Sequence, residues 1–151
     1  MTDIDALEGL ALDRAVAEAR GVQVGKQCPA NPNEDIREID GWEWECALCG
    51  TTGYINRRGF STDVGHLIPV PEVSDSIAAA WELWQELKAD GYDTSVYEEG
   101  DGLMSFYVCR DKCEECLRRN EVAICYFHDL DELPTAIARA YLKALKAKAS
   151  D

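Results

Sequence analysis

The sequence predicts an α+β protein in which an antiparallel sheet of three or more strands is covered by helices. Amphipathic helical patterns occupy both ends and the middle of the chain, and three strand-like segments run consecutively between the last two helices. Turn-forming residues are concentrated in one separate segment, residues 26–70. An antiparallel sheet covered by helices is the natural way to bury the apolar stripes of such elements.

Length and composition favour one folded domain. The chain has 151 residues, of which 46% are hydrophobic, and this is enough to bury a core without disulfides. We therefore expect a single domain over residues 1–151. Residues 26–70 are expected to form a Cys-bearing insertion between the N-terminal helix and the central helix.

The charge balance narrows the classes of partner. A formal net charge of −14 repels phosphate backbones, which argues against general nucleic-acid binding. No apolar run approaches the roughly 20 residues that cross a membrane. The acidic N-terminus also lacks the basic region of a signal peptide. We therefore expect a cytoplasmic protein without membrane association, and a homo-oligomer stays open.

Helices are predicted at the two ends of the chain. Residues 5–20 place apolar side chains near the 3.6-residue helical period, and Gly21 can end that helix. The last helix is expected to begin near Asp131, with Pro134 in its first turn, where the missing N–H costs no hydrogen bond. Its expected buried stripe contains Leu133, Ile137, Ala140, Tyr141, Ala144 and Leu145.

A central helix shows the clearest signals. Ser74 is the expected N-cap, and Gly91 fits the C′ position just beyond the C-terminus. One continuous stripe at helical spacing contains Ile77, Trp81, Trp84 and Leu87. We expect this stripe to face the core.

Strands are predicted in two groups. The expected strands lie around Trp42–Cys46, Tyr54–Arg57, Tyr92–Tyr97, Leu103–Cys109 and Glu121–Phe127. Between the third and fourth of these, the sequence Glu99-Gly100-Asp101-Gly102 is a hairpin signal.

The seven cysteines indicate a metal site. They are Cys28, Cys46, Cys49, Cys109, Cys113, Cys116 and Cys125. An odd number in an intracellular context disfavours a disulfide framework. Two pairs, Cys46–Cys49 and Cys113–Cys116, have the C-x-x-C spacing that lets a tight turn aim two thiolates at one tetrahedral ion, and Gly50 after the first pair permits such a turn. We therefore predict a structural zinc site.

Two ligand sets fit this spacing. The favoured set is one Cys₄ site of Cys46, Cys49, Cys113 and Cys116. The alternative is local: Cys28, Cys46, Cys49 and His66 would close one site, and Cys109, Cys113 and Cys116, with His128, would form a second. The sequence does not choose between them. No set leaves an obvious open metal position beside a general base, so we assign no catalytic residue and expect no enzymatic activity.

Two arginine doublets indicate a possible ligand-binding patch. Each doublet follows one of the C-x-x-C pairs. The candidate residues are Arg57, Arg58, Arg118 and Arg119, with the aromatic side chains of Trp44 and Tyr54. Guanidinium groups beside aromatic rings can bind a small nucleotide-like anion.

Three segments carry a resemblance to a known family: Leu12–Glu18, Val73–Leu83 and Leu133–Ala140. In this order they resemble the N-terminal opening, the first helix and the last helix of the phage ABA-sandwich domain family. Ala138 is a departure, because members often carry cysteine there. The resemblance implies a phage or prophage protein with an α/β/α sandwich, acting inside a host bacterial cell. It implies no activity.

Together these observations predict a non-enzymatic phage accessory protein with a structural zinc site that acts by binding a host protein. The alternative is a binding module that captures a small nucleotide-like anion through the arginine and aromatic side chains.

Overall fold

The chain forms two compact units. The computed structural model describes residues 3–31, 34–39, 43–54, 66–110 and 121–151. Met1–Val22 together with Pro71–Asp151 form one unit, named here the main unit, and Gln23–Val70 form the other, named the cysteine unit. The predicted insertion, residues 26–70, falls within the cysteine unit.

Three helices and six strands make up the described structure. In chain order they are α1 Gly9–Ala19, β1 Ile36–Ile39, β2 Glu43–Cys46, β3 Thr52–Tyr54, α2 Ile77–Ala89, β4 Asp93–Gly100, β5 Leu103–Cys109, β6 Glu121–Phe127 and α3 Leu133–Ala149. Short 3₁₀ turns at Ile4–Ala6 and Leu130–Glu132 precede α1 and α3. The predicted α+β class is confirmed. No helix among the described residues has both the length and the apolarity needed to cross a membrane.

The sheet of the main unit has the order β4-β5-β6 and is antiparallel throughout. The predicted bounds of β5 and β6 are confirmed. The predicted hairpin joins β4 to β5: Gly100 pairs with Leu103, and Asp101 and Gly102 both have positive φ angles, 53° and 76°. Two consecutive positive φ angles are the geometry of a type I′ turn, whose twist matches the strands that it joins.

Helix α3 lies at the centre of the main unit. It contacts α1, α2, β5 and β6. Its buried residues are Pro134, Ala136, Ile137, Ala138, Ala140, Tyr141, Leu142 and Ala144. They join Phe106 and Val108 of β5 in one cluster, and the buried residues of α1 and α2 belong to it too. Helices α2 and α3 therefore cover one face of the β4-β5-β6 sheet, and α1 packs against α3.

The expected stripe of α2 is only half right. Leu87 is buried and Trp84 packs partly against the core, but Ile77 and Trp81 remain 52% and 48% exposed. Ala80, Leu83 and Leu87 form the buried face instead. This face belongs to the same buried cluster as the alanine residues of α3, which α2 contacts. Trp81 contacts Trp84, with ring centroids 4.9 Å apart.

The ends of α2 are set by two local motifs. Ser76, not the expected Ser74, is the N-cap, and its hydroxyl accepts a hydrogen bond from the Ala79 N–H. At the other end, the Gly91 N–H donates to the Lys88 carbonyl and the Tyr92 N–H to the Leu87 carbonyl. This is a Schellman motif with Gly91 at C′, as predicted.

Ser74 belongs instead to a buried junction with α1. The Asp13 carboxylate is almost fully buried and accepts hydrogen bonds from the Val73 N–H at 3.1 Å and the Ser74 N–H at 2.7 Å. The Ser74 carbonyl accepts from the Thr135 hydroxyl of α3. A buried carboxylate is stable only when hydrogen bonds replace its hydration, and these two amides supply them.

The cysteine unit is built on a sheet of order β1-β2-β3, also antiparallel. Ile36 pairs with Cys46, and Trp44 pairs with Gly53. The predicted strand ending at Cys46 is confirmed as β2. The expected strand Tyr54–Arg57 begins earlier, at Thr52, and its residues beyond Tyr54 lie outside the described part.

Candidate metal centre

The first half of the site is a knuckle between β2 and β3. Cys46 ends β2, its N–H donates to the Thr51 carbonyl at 2.8 Å, and its carbonyl accepts from the Gly50 N–H at 2.9 Å. Gly50 has a φ of 74°, which side chains rarely tolerate. The turn places Cys46 and Cys49 on the same side, as the C-x-x-C-G pattern predicts.

The second half comes from two segments far apart in the sequence. An isolated antiparallel bridge joins Gln27 to Leu67. Beside it, the Cys28 N–H donates to the His66 carbonyl at 2.9 Å, and the Ile68 N–H donates to the Lys26 carbonyl at 2.8 Å. This short ladder fixes Cys28 and His66 next to each other.

The four side chains converge. The sulfur atoms of Cys28, Cys46 and Cys49 and a ring nitrogen of His66 all lie within 4.8 Å of one another. The Cys28 and Cys46 sulfurs are 3.9 Å apart, close to the separation of about 3.8 Å that a tetrahedral ion with bonds of about 2.3 Å to sulfur requires. Cys49 Sγ and His66 Nε2 are 3.1 Å apart, in hydrogen-bonding contact. This Cys₃His group can hold a metal ion.

The thiols of the group differ in acidity. Burial raises the pKa of Cys28 to about 11, and the neighbouring Cys49 and Cys46 act in the same direction. Burial also acts to raise the pKa of Cys49, but hydrogen bonds with Thr51 and His66 outweigh it and lower that pKa to about 6. At neutral pH, Cys49 is therefore a thiolate and Cys28 a thiol. Metal ligation needs the Cys28 proton to leave, as is usual for thiol ligands.

Side chains around the group hold its geometry. The Thr51 hydroxyl lies 3.1 Å from Cys49 Sγ, and the Trp44 ring centroid is 5.5 Å from that of His66. Trp44 lies across Gly53, where a Cβ atom would come within 2.5 Å of the indole. Outer contacts of this kind orient ligands and tune their basicity.

The three cysteines of the group belong to the only cluster of buried apolar side chains in the described part of the cysteine unit. Its buried members are Cys28, Ile36 and Cys46, and Ala30, Trp44, Cys49 and Ile68 pack partly against them. Two of the three buried members are metal-ligand candidates. The candidate metal group therefore lies within the small core of this unit and shares its cysteines with it.

The arrangement is the local one that the sequence left as an alternative. Cys46 and Cys49 meet Cys28 and His66, which already supply four donors. Cys113 and Cys116 lie outside the described residues, so the favoured Cys₄ set stays a prediction. Cys109 ends β5 in the main unit, where burial raises the pKa of its thiol.

The predicted arginine and aromatic patch is largely beyond what the structure describes. Arg57, Arg58, Arg118 and Arg119 lie outside the described residues. Trp44 packs against the cysteine cluster, and Tyr54 lies in β3 opposite Glu43. Anion capture by this patch stays a prediction.

Comparison of the chain with family models, curated proteins and solved structures finds no match. The resemblance to the phage ABA-sandwich family therefore stays a prediction.

Proposed function

We propose that Cys28, Cys46, Cys49 and His66 bind one zinc ion that holds the cysteine unit folded. The observation that carries this proposal is the coincidence of the four donors with the unit's small core. The described part of this unit buries only three apolar side chains, and a structural metal is a common source of stability in segments with small cores. The ion supplies the stabilisation that the apolar side chains do not.

The donor set favours zinc and a structural role. Three cysteine sulfurs and an imidazole within 4.8 Å of one another are ligands that Zn²⁺ prefers, whereas Mg²⁺ and Ca²⁺ prefer oxygen. Catalytic zinc sites keep one position for water. Four protein donors fill the coordination shell, which supports a non-enzymatic role.

Metal stoichiometry and spectroscopy test this assignment. We expect native mass spectrometry of protein purified without chelator to show one zinc ion that Cys28→Ser and His66→Ala each abolish or weaken. Cobalt substitution should give the thiolate-to-metal absorption of a tetrahedral Cys₃His site, and Cys28→Ser should reduce it. Retention of zinc in both variants, with loss in Cys113→Ser, would instead support the Cys₄ set.

We further propose that the chain is a non-enzymatic phage accessory protein that acts by binding a host protein. Its resemblance to a phage family and its filled metal shell support this role. So does the exposed pair Ile77 and Trp81 on α2, because large exposed apolar side chains that lie together are typical of protein interfaces.

Capture from a bacterial lysate, with matched variants, tests the binding role. We expect the wild-type chain and Leu10→Asp to retain the same partner, and Trp81→Asp to lose it. Leu10 is an exposed apolar residue on α1, 63% exposed against 48% for Trp81, and controls for the added charge. Equal capture by all three proteins would rule out the α2 surface, and no specific capture would count against the binding role.

A further inference from the structure

The face of the β4-β5-β6 sheet opposite the helices carries an aromatic group. Strand register places Tyr97, Ser105 and Tyr126 in one row across the sheet, and Ser95, Tyr107 and Ile124 in the next. Side chains alternate between the faces of a strand, so these residues point away from the core residues Phe106 and Val108. Tyr97 and Tyr126 are 41% and 56% exposed.

Two of these tyrosines form a corner. Tyr97 and Tyr107 occupy diagonal positions on neighbouring strands, within reach of each other. Their ring centroids are 5.3 Å apart and their planes meet at 87°. The edge of one ring therefore meets the face of the other.

A carboxylate is fixed at this corner. The β4–β5 register shifts between Glu98 and Gly100, and the resulting bulge includes Glu99. One Glu99 carboxylate oxygen accepts hydrogen bonds from the Ser105 hydroxyl at 2.6 Å and from the Tyr107 hydroxyl at 2.9 Å. Burial and the nearby Glu99 raise the pKa of Tyr107, so its hydroxyl stays a donor at neutral pH.

We propose that the corner formed by Tyr97, Tyr107 and Glu99 binds an arginine side chain presented by a partner protein. The proposal deepens the binding role given above, and rests on it, by naming the chemistry of the partner. A guanidinium group is planar and weakly hydrated, stacks on aromatic rings and pairs with carboxylates. The chain's net charge of −14 also attracts a basic partner segment.

Titration with a defined peptide tests the corner directly. The probe is acetyl-Gly-Arg-Gly-amide at low ionic strength, and the neutral control is the same peptide with citrulline. We expect saturable changes in the ring resonances of Tyr97 and Tyr107 with the arginine peptide, and none with the citrulline peptide. Equal changes with both peptides, or no change with either, would overturn the proposal.

A pair of charge variants separates a local site from general attraction. Glu99→Gln keeps an acceptor oxygen for Ser105 and Tyr107 but removes the charge, and we expect it to weaken peptide binding about tenfold. Glu98→Gln removes the same charge from the same strand at an exposed position on the opposite face, and should change binding less than about twofold. Equal losses in the two variants would contradict a built site.

This titration needs neither zinc nor a natural partner, so its failure is distinguishable from that of the proposed function. If the zinc-loaded protein captures its partner through α2 but does not bind the peptide, only the proposal of an arginine site at the corner is contradicted. Peptide binding by the wild-type chain without any captured partner counts against the proposed host-protein binding and not against the corner.

Discussion

The two units of this chain differ in what occupies their centres. Among the residues that the structure describes, eighteen buried ones form the core of the main unit and three form that of the cysteine unit. Two of those three are cysteines of the candidate metal group. Apolar burial of about 25 cal/mol per Å² can stabilise the first. The described part of the second offers far less such surface, and under the zinc binding proposed above ligand bonds to the ion would take its place. The chain would then use two means of stabilisation.

The largest effect is expected from removing a metal ligand. Cys46→Ser should abolish tight zinc binding and unfold the cysteine unit, because structural zinc contributes on the order of 10 kcal/mol in small zinc-binding peptides. The measurement is zinc content after gel filtration together with the amide spectrum. Cys125→Ala is the control. Because Cys125 is buried in the core of the main unit, this variant should keep its zinc.

Truncating a core side chain of the main unit should destabilise that unit and leave zinc binding unchanged. Phe106 is fully buried and its ring meets Trp84 edge-on with centroids 5.0 Å apart. We expect Phe106→Ala to lower the free energy of unfolding of the main unit by about 3–5 kcal/mol while the zinc content stays unchanged. Denaturant unfolding followed by tryptophan fluorescence measures it. Tyr126→Ala, on the exposed face of the same sheet, should cost far less, and an equal cost would contradict this description of the core.

The buried carboxylate of α1 should have an intermediate effect. Asp13→Ala leaves the amides of Val73 and Ser74 without their acceptor, and we expect a loss of about 1–3 kcal/mol in the main unit. Asp13→Asn keeps an oxygen at this position and should lose less. Thermal unfolding of the two variants compares them, and equal losses would mean that the amides do not depend on this acceptor.

The smallest effect is a pH dependence confined to the main unit. Burial and the Glu86 carboxylate, which accepts a hydrogen bond from the Tyr141 hydroxyl at 2.7 Å, raise the pKa of Tyr141. Folding therefore favours the protonated phenol. The resulting stabilisation is complete below the unfolded-state pKa of about 10 and is lost as the pH rises above it.

Unfolding measured between pH 8 and pH 11 checks this expectation. Tyr141→Phe should unfold with a shallower pH dependence than the wild-type chain over this range. The same slope in both proteins would show that Tyr141 is not the responsible group.

Local signals in the sequence predicted most of the main unit. The bounds of β5 and β6, the turn at Asp101–Gly102 and the stop at Gly91 all depend on neighbouring residues, and all are confirmed. The prediction of the buried face of α2 was half wrong, because the helical period alone does not say which stripe of a helix its neighbours will cover. Ile77 and Trp81 were predicted to face the core because they are large and apolar. The residues of α2 that join the buried cluster are instead Ala80, Leu83 and Leu87.

In the candidate metal centre, the sequence predicted the local contacts but not the long-range ones. The C-x-x-C spacing predicted that Cys46 and Cys49 lie together, and this is confirmed, because the turn between them is local. Their partners depend on the bridge between Gln27 and Leu67, and pairing across such a distance leaves no periodic signal. The contact between the Thr51 hydroxyl and Cys49 Sγ was not predicted either, although Thr51 lies only two residues beyond Cys49 in the sequence.

Zinc removal followed residue by residue is the most direct test of the difference between the two units. Amide spectra of ¹⁵N-labelled protein would be recorded before and after treatment with a strong chelator, and again after zinc is restored. We expect resonances from Gln23–Val70 to collapse to unfolded positions and recover with zinc, while those from Pro71–Asp151 stay dispersed. A cysteine unit that keeps its dispersed resonances without metal would contradict the claim that an ion takes the place of its core.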